Sequence, residues 1–183
     1  MIKKLQFDVP AVVIVDDFLP SPFGEEAAVS IGAIRSEARH GSYNWIEATQ
    51  IESSKLPIAG LIEFIINSFK INTDDVAGFE YWSNDIASGD AMSFHSDIDE
   101  ALYKRTRRII SPLLTCVYYV AVSNVRGGSL VFEDGVIIKP RANRLALFFG
   151  GTRHGVEKVE SGRRLSIVVN FWDRVPLSYQ KEC

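Results

Sequence analysis

From Gly78 to Trp172 the chain is a succession of short β-branched and aromatic runs cut by glycine, asparagine and aspartate, and this constrains its fold most. Many short strands divided by turn residues make a β-sandwich or jelly roll. The expected strands are Phe79–Ser83, Ala91–His95, Leu113–Val122, Ser129–Phe132, Val136–Lys139, Leu145–Phe149, a short one at His154, and Leu165–Trp172.

Ahead of this region the period changes. Ala11–Val15 is a β-branched run ending at Asp16-Asp17 and reads as a first strand. Ser21-Pro22 is a helix start with proline in the first turn, and Glu25-Glu26 suit the positive end of the dipole. Ala27, Ile31, Ile34 and Ala38 continue at helical spacing to about Arg39, and His40 follows as a solvated loop residue. A second amphipathic helix spans Leu56–Phe69, its start set by Ser54 and Pro57, with Leu61, Ile62, Ile65, Ile66 and Phe69 on one face. Helices followed by strands pack on the outside of one sheet. The expected fold is mainly β with flanking helices, in one domain over 1–183, with helical support at 1–77 and the β region at 78–175.

Composition excludes several classes of function. A net charge of −3 gives no electrostatic reason to expect a nucleic acid partner. No apolar run reaches bilayer length, and Gln6, Asp8 and Pro10 interrupt what would be the core of a signal peptide. Cys116 and Cys183 make no disulfide framework, so a reducing cytoplasm fits.

The chemistry centres on Phe94-His95-Ser96-Asp97 and Thr152-Arg153-His154-Gly155. Residues two apart in a strand point the same way, so His95 and Asp97 can converge on one metal. His154, from a distant strand, completes two histidines and one carboxylate, the set that non-heme iron(II) oxygenases use with open positions left over. Arg164 and Ser166 share one face of the last strand, with Leu165, Ile167, Val169 and Phe171 on the other. No nearby carboxylate pairs with Arg164, and a guanidinium fork plus a hydroxyl suits a carboxylate ligand. A one-residue slip would give Arg163 that role. The charged segment Glu100–Arg108 reads as a solvated loop, placed where it can cover a substrate.

Over residues 79 to 173 the chain resembles the iron(II)- and 2-oxoglutarate-dependent dioxygenases, and most of all their prolyl-4-hydroxylase-like branch. Beside the triad, the resemblance is carried by Leu114–Val120, Gly127-Gly128-Ser-Leu-Val-Phe132, Ile138-Lys-Pro140, Arg144–Phe149, and Arg164-x-Ser166 ten residues after His154. Asp16-Asp17-Phe18-Leu19 is similar to the family's N-terminal strand and helix. The resemblance implies a double-stranded β-helix with iron(II) held by His95, Asp97 and His154 at one mouth. It implies that 2-oxoglutarate chelates the iron while Arg164, Ser166 and Tyr119 hold its far carboxylate, and that dioxygen is the oxidant. Halogenating relatives lack the carboxylate ligand, so Asp97 points to hydroxylation. The family's tyrosines before the first histidine are replaced by Ile86 and Met92, with Tyr81 or Trp82 as candidates to take their place. The substrate is a residue in a protein or peptide, prolyl among them, or a free amino acid or small metabolite. Two other readings stand beside this one: a jelly-roll binding protein that has lost its chemistry, and a cupin-like metal enzyme that needs no Arg-x-Ser anchor.

Overall fold

The computed structural model describes residues 11–20 and 43–180; the expected helix ending near Arg39 and the residue His40 lie outside them. In chain order come β1 (Val12–Val15), β2 (Asn44–Glu47), α1 (Pro57–Phe69), β3 (Gly78–Ala87) and β4 (Met92–His95). They are followed by α2 (Glu100–Thr106), β5 (Leu114–Gly127), β6 (Leu130–Phe132), β7 (Ile137–Ile138), β8 (Arg144–Phe149), β9 (His154–Val156) and β10 (Val159–Trp172). Six strands in the order β1-β8-β5-β10-β3-β2 form a large sheet, and four in the order β4-β9-β6-β7 a small one. Every pairing is antiparallel. Trp82, Val117, Tyr119, Ala146, Phe148 and Val168 of the large sheet share one buried cluster with Leu130, Phe132 and Ile138 of the small sheet. The two sheets therefore close on each other as a jelly roll, as the strand pattern requires.

Alternation along the strands sorts the large sheet into an inside and an outside. On β5, Val117 and Tyr119 face the barrel, while Cys116 and Tyr118 join the outer cluster. On β10, Ile167, Val169 and Phe171 face outward beside α1, whose Ile58, Ala59, Leu61, Ile62 and Ile65 are buried there. Each such aliphatic side chain contributes about 1.5–3 kcal/mol by leaving water, so Ile62→Ala would cost the fold roughly 2–5 kcal/mol. Helix α1 starts at Pro57, where the missing N–H loses nothing. The Ser54 hydroxyl accepts from Leu56 N just ahead of it.

Three strands run further than their apolar runs. β3, β5 and β10 carry polar extensions that read as turns, and these pair with one another across the sheet: Arg163 with Asp85, and Arg126 with Glu160. The larger correction falls on Glu100–Arg108, expected as a loop. Its first seven residues form helix α2, capped by Asp99, whose Oδ1 accepts from Leu102 N at 2.9 Å. Lys104 and Glu100 pair one turn apart at 3.1 Å. The other oxygen of Asp99 accepts from Leu177 N at 2.8 Å, which ties the start of α2 to the C-terminal turn Leu177–Tyr179.

Candidate metal centre and carboxylate pocket

His95 ends β4 and His154 opens β9, and the two are direct partners in the ladder of the small sheet. Their rings lie 4.5 Å apart. Gly155 permits this approach, because a Cβ there would stand 2.8 Å from Met92 O on the neighbouring strand. Asp97, two residues past His95, turns Oδ1 to within 3.7 Å of His95 Nε2. One ligand atom from each of His95, Asp97 and His154 lies within 4.8 Å of the others.

Both imidazoles are set for metal. His95 Nδ1 lies 2.9 Å from Ser93 O, and His154 Nδ1 lies 2.8 Å from Thr152 O. A carbonyl only accepts, so each Nδ1 carries the ring hydrogen and each Nε2 keeps a free lone pair. Burial pushes the His154 pKa down, against the opposing pull of Asp97, which favours the neutral form a metal needs. Two imidazoles and a carboxylate on one side of a site fit iron(II) with positions left open.

Deeper in the barrel the chemistry reverses. Arg164, Ser166 and Tyr119 are buried, at 1%, 0% and 0% exposure. Arg164 lies over the Tyr119 ring at 4.6 Å, donates from Nη1 to Gly128 O at 2.8 Å and from Nη2 to Ser166 Oγ at 3.1 Å. Gly127 and Gly128 both have positive φ, and a Cβ on Gly127 would stand 2.2 Å from Lys158 O. The turn that offers its carbonyl to Arg164 therefore needs glycine. Among the described residues, Arg164 Nε and the Tyr119 hydroxyl make no hydrogen bond of normal geometry, although the two side chains lie close enough to attract each other. Burying unpartnered polar atoms is costly, and a cation beside two hydroxyls with two orphan donors fits a carboxylate guest. Arg163 points outward to Asp85, so the expected strand phase holds and its one-residue slip does not.

Other residues around the mouth were not legible as site residues. Thr115, Asn170 and Glu80 form a polar chain behind Asp97, with Thr115 Oγ1 3.2 Å from Asp97 Oδ2. Strand parity places all three inside the barrel, but nothing in the sequence says which interior polar residues touch. Trp82 also faces inward, with Tyr43 edge-on at 4.9 Å, whereas Tyr81 belongs to the outer cluster. Of the two candidates for the missing tyrosines, only Trp82 is on the barrel side.

Comparison with known proteins agrees with this geometry. No curated protein sequence matches the chain. The fold is similar to that of a Pseudomonas putida prolyl-4-hydroxylase at TM-score 0.63 and 20% identity, over 90% of this chain and 93% of that one. It is also similar to the viral collagen prolyl hydroxylase of Paramecium bursaria Chlorella virus-1. A truncated form gives TM-score 0.60 and 17% identity, over 88% of this chain and 89% of that one. Its 2-oxoglutarate complex gives 0.58 and 19%, over 90% and 96%. No helix among the described residues is long and apolar enough to cross a membrane. Residues 81–172, half of the chain, match the family described as the 2OG-Fe(II) oxygenase superfamily, with the three-residue donor set and the buried cation both inside the matched span. The chain is a member of that superfamily, whose cofactors are iron(II), 2-oxoglutarate and dioxygen.

Proposed function

We propose that the protein hydroxylates an unactivated C–H bond, with oxidative decarboxylation of 2-oxoglutarate to succinate and carbon dioxide. His95, Asp97 and His154 hold the iron; Arg164, Ser166 and Tyr119 hold the far carboxylate of 2-oxoglutarate. The observation that carries this reading is the pair of orphaned donors, Tyr119 Oη and Arg164 Nε, buried in the same barrel as the donor set. Iron chelated by 2-oxoglutarate supplies, with dioxygen, the oxidising power for the C–H bond.

The protein's own part is orientation and exclusion of water. Serine and threonine carbonyls fix both imidazoles with Nε2 inward. Arg164, already oriented by Gly128 and Ser166, meets an incoming carboxylate without reorganising. Asp97 fills the position that a halide would need, which favours hydroxylation over halogenation. A metal enzyme that needs no carboxylate anchor leaves the two orphan donors without a guest.

The substrate is a residue in a peptide or protein, or a free amino acid or small metabolite. Similarity to structures of prolyl-4-hydroxylases supports trying prolyl peptides first. The test is a panel of prolyl peptides and free amino acids, following succinate and substrate mass together. Succinate formed in step with addition of one oxygen atom to a substrate is the expected result. Iron-loaded protein that neither binds nor consumes 2-oxoglutarate would overturn the reading.

A further inference from the structure

The two oxygens of Asp97 have different neighbours. Oδ1 is turned toward His95 Nε2, at 3.7 Å, while Oδ2 lies 3.2 Å from Thr115 Oγ1. Asp97 follows β4 of the small sheet, and Thr115 is on β5 of the large one, so this contact bridges the two sheets beside the donor set. Thr115 Oγ1 also lies 2.7 Å from Asn170 Oδ1, whose residue is its direct partner on β10. Asn170 Nδ2 reaches Glu80 Oε2 at 3.5 Å, and Glu80 is held by Trp172 Nε1 at 3.2 Å and the Tyr179 hydroxyl at 3.1 Å. Thr115 and Asn170 are buried, at 0% and 1% exposure, so water does not compete for these contacts.

A hydroxyl has one hydrogen to give. Given to Asn170, it leaves two oxygens facing each other between Thr115 and Asp97. Given to Asp97, it makes a charge-assisted bond, about twice as strong as a neutral one. The Thr115 lone pair then accepts from Asn170 Nδ2 after a half-turn of the amide that exchanges its two nearly indistinguishable ends. Asn170 Oδ1 then faces Glu80 Oε2 and accepts from the protonated carboxyl that burial favours there. The hydrogen goes to the charged acceptor, Asp97, although that contact is the longer, 3.2 Å against 2.7 Å, because only then do both neighbours of the hydroxyl have a hydrogen between them and it.

We propose that Thr115, backed by Asn170, is a positioning residue for Asp97: it holds Oδ2 so that the carboxylate offers the metal Oδ1 alone. A carboxylate free to turn would present both oxygens and take a further coordination position from 2-oxoglutarate or dioxygen. This proposal rests on the reading of His95, Asp97 and His154 as the ligands.

Thr115→Val is nearly isosteric and removes only the hydroxyl, and Thr115→Ser keeps it. The probe is cobalt(II), titrated without oxygen into the metal-free protein and followed by its visible ligand-field bands, then by the change on adding 2-oxoglutarate. Thr115→Val should bind cobalt about 10–100-fold more weakly, the usual effect of losing a hydrogen-bond partner of a metal ligand. Its bands should differ in shape from wild type, and Thr115→Ser should restore both. A valine variant with wild-type affinity and bands, or a serine variant that restores neither, overturns the proposal. His154→Ala serves as the control on the ligand reading. If it binds cobalt as wild type does, the ligand assignment falls and takes the role of Thr115 with it.

Discussion

The two ends of the barrel interior solve opposite problems. At the mouth, the polar groups are provided for without any guest: carbonyls hold both imidazoles, Thr115 meets Asp97, and Asn170, Trp172 and Tyr179 meet Glu80. At the deep end, a guanidinium and a tyrosine hydroxyl are buried with donors unspent, and among the described residues no carboxylate acts on the guanidinium. The mouth is arranged to keep a fixed shape without a guest. The deep end is incomplete alone, so it gains most from a bound anion and costs the empty protein most.

This contrast can be broken first at the mouth. His154→Ala removes one of two imidazoles and should abolish iron binding, measured by anaerobic calorimetry, while the outer core keeps the fold. At the deep end the signs of stability and binding should separate. Arg164→Met should weaken 2-oxoglutarate about tenfold to a hundredfold, the worth of hydrogen bonds to a charged group. The same change removes an unpaired buried charge, so the melting temperature without ligand should stay level or rise. A substitution that loses both together would mean Arg164 is structural.

A smaller effect separates Glu80 from the other mouth groups. Burial is the main cause that raises its carboxyl pKa above the ordinary 4.5; the charge of Asp97 adds to it, and hydrogen bonds from Tyr179 and Trp172 oppose it. A raised carboxyl pKa favours the protonated form in the fold, so its contribution is present below the unfolded value and lost as pH rises through the folded one. Metal-free wild type should therefore lose melting temperature relative to Glu80→Gln as pH rises from about 5 to 8. Parallel curves would contradict this. The smallest effect belongs to Arg163→Ala, which breaks a pair between an exposed guanidinium and the half-buried Asp85 carboxylate, a group with a further interaction of its own. Melting temperature and 2-oxoglutarate affinity should barely move; a loss of affinity there, with none at Arg164, would reverse the assigned strand phase.

Much of this architecture is legible in the sequence because period-two alternation is unambiguous where one face is buried. The pattern puts Arg164 and Ser166 on one face and Ile167 and Val169 on the other, and the burial of Arg164 with Arg163 turned to Asp85 fixes which face is inward. The triad is legible because its residues are rare: the chain has three histidines, and two of them sit in it. Helix α2 is not legible because its seven residues carry no apolar stripe: Ala101, Leu102 and Tyr103 are adjacent, with charged Glu100, Lys104 and Arg105 around them. Its stability comes from the Asp99 cap and a contact with Leu177 far along the chain. The extensions of β3 and β10 are hidden for a related reason, since Asp85 and Arg163 look like turn residues until the two strands are paired and the residues meet diagonally across them. The Thr115–Asn170–Glu80 chain depends on register between three strands, which alternation does not supply.

The most direct test of the central claim is the visible spectrum of the metal-free protein, without oxygen, on adding iron(II) and 2-oxoglutarate. A weak charge-transfer band that requires both additions, and is lost when Arg164→Met is tested at the same concentrations, is the predicted result. Iron bound by the donor set with no band at any concentration of 2-oxoglutarate would contradict the account.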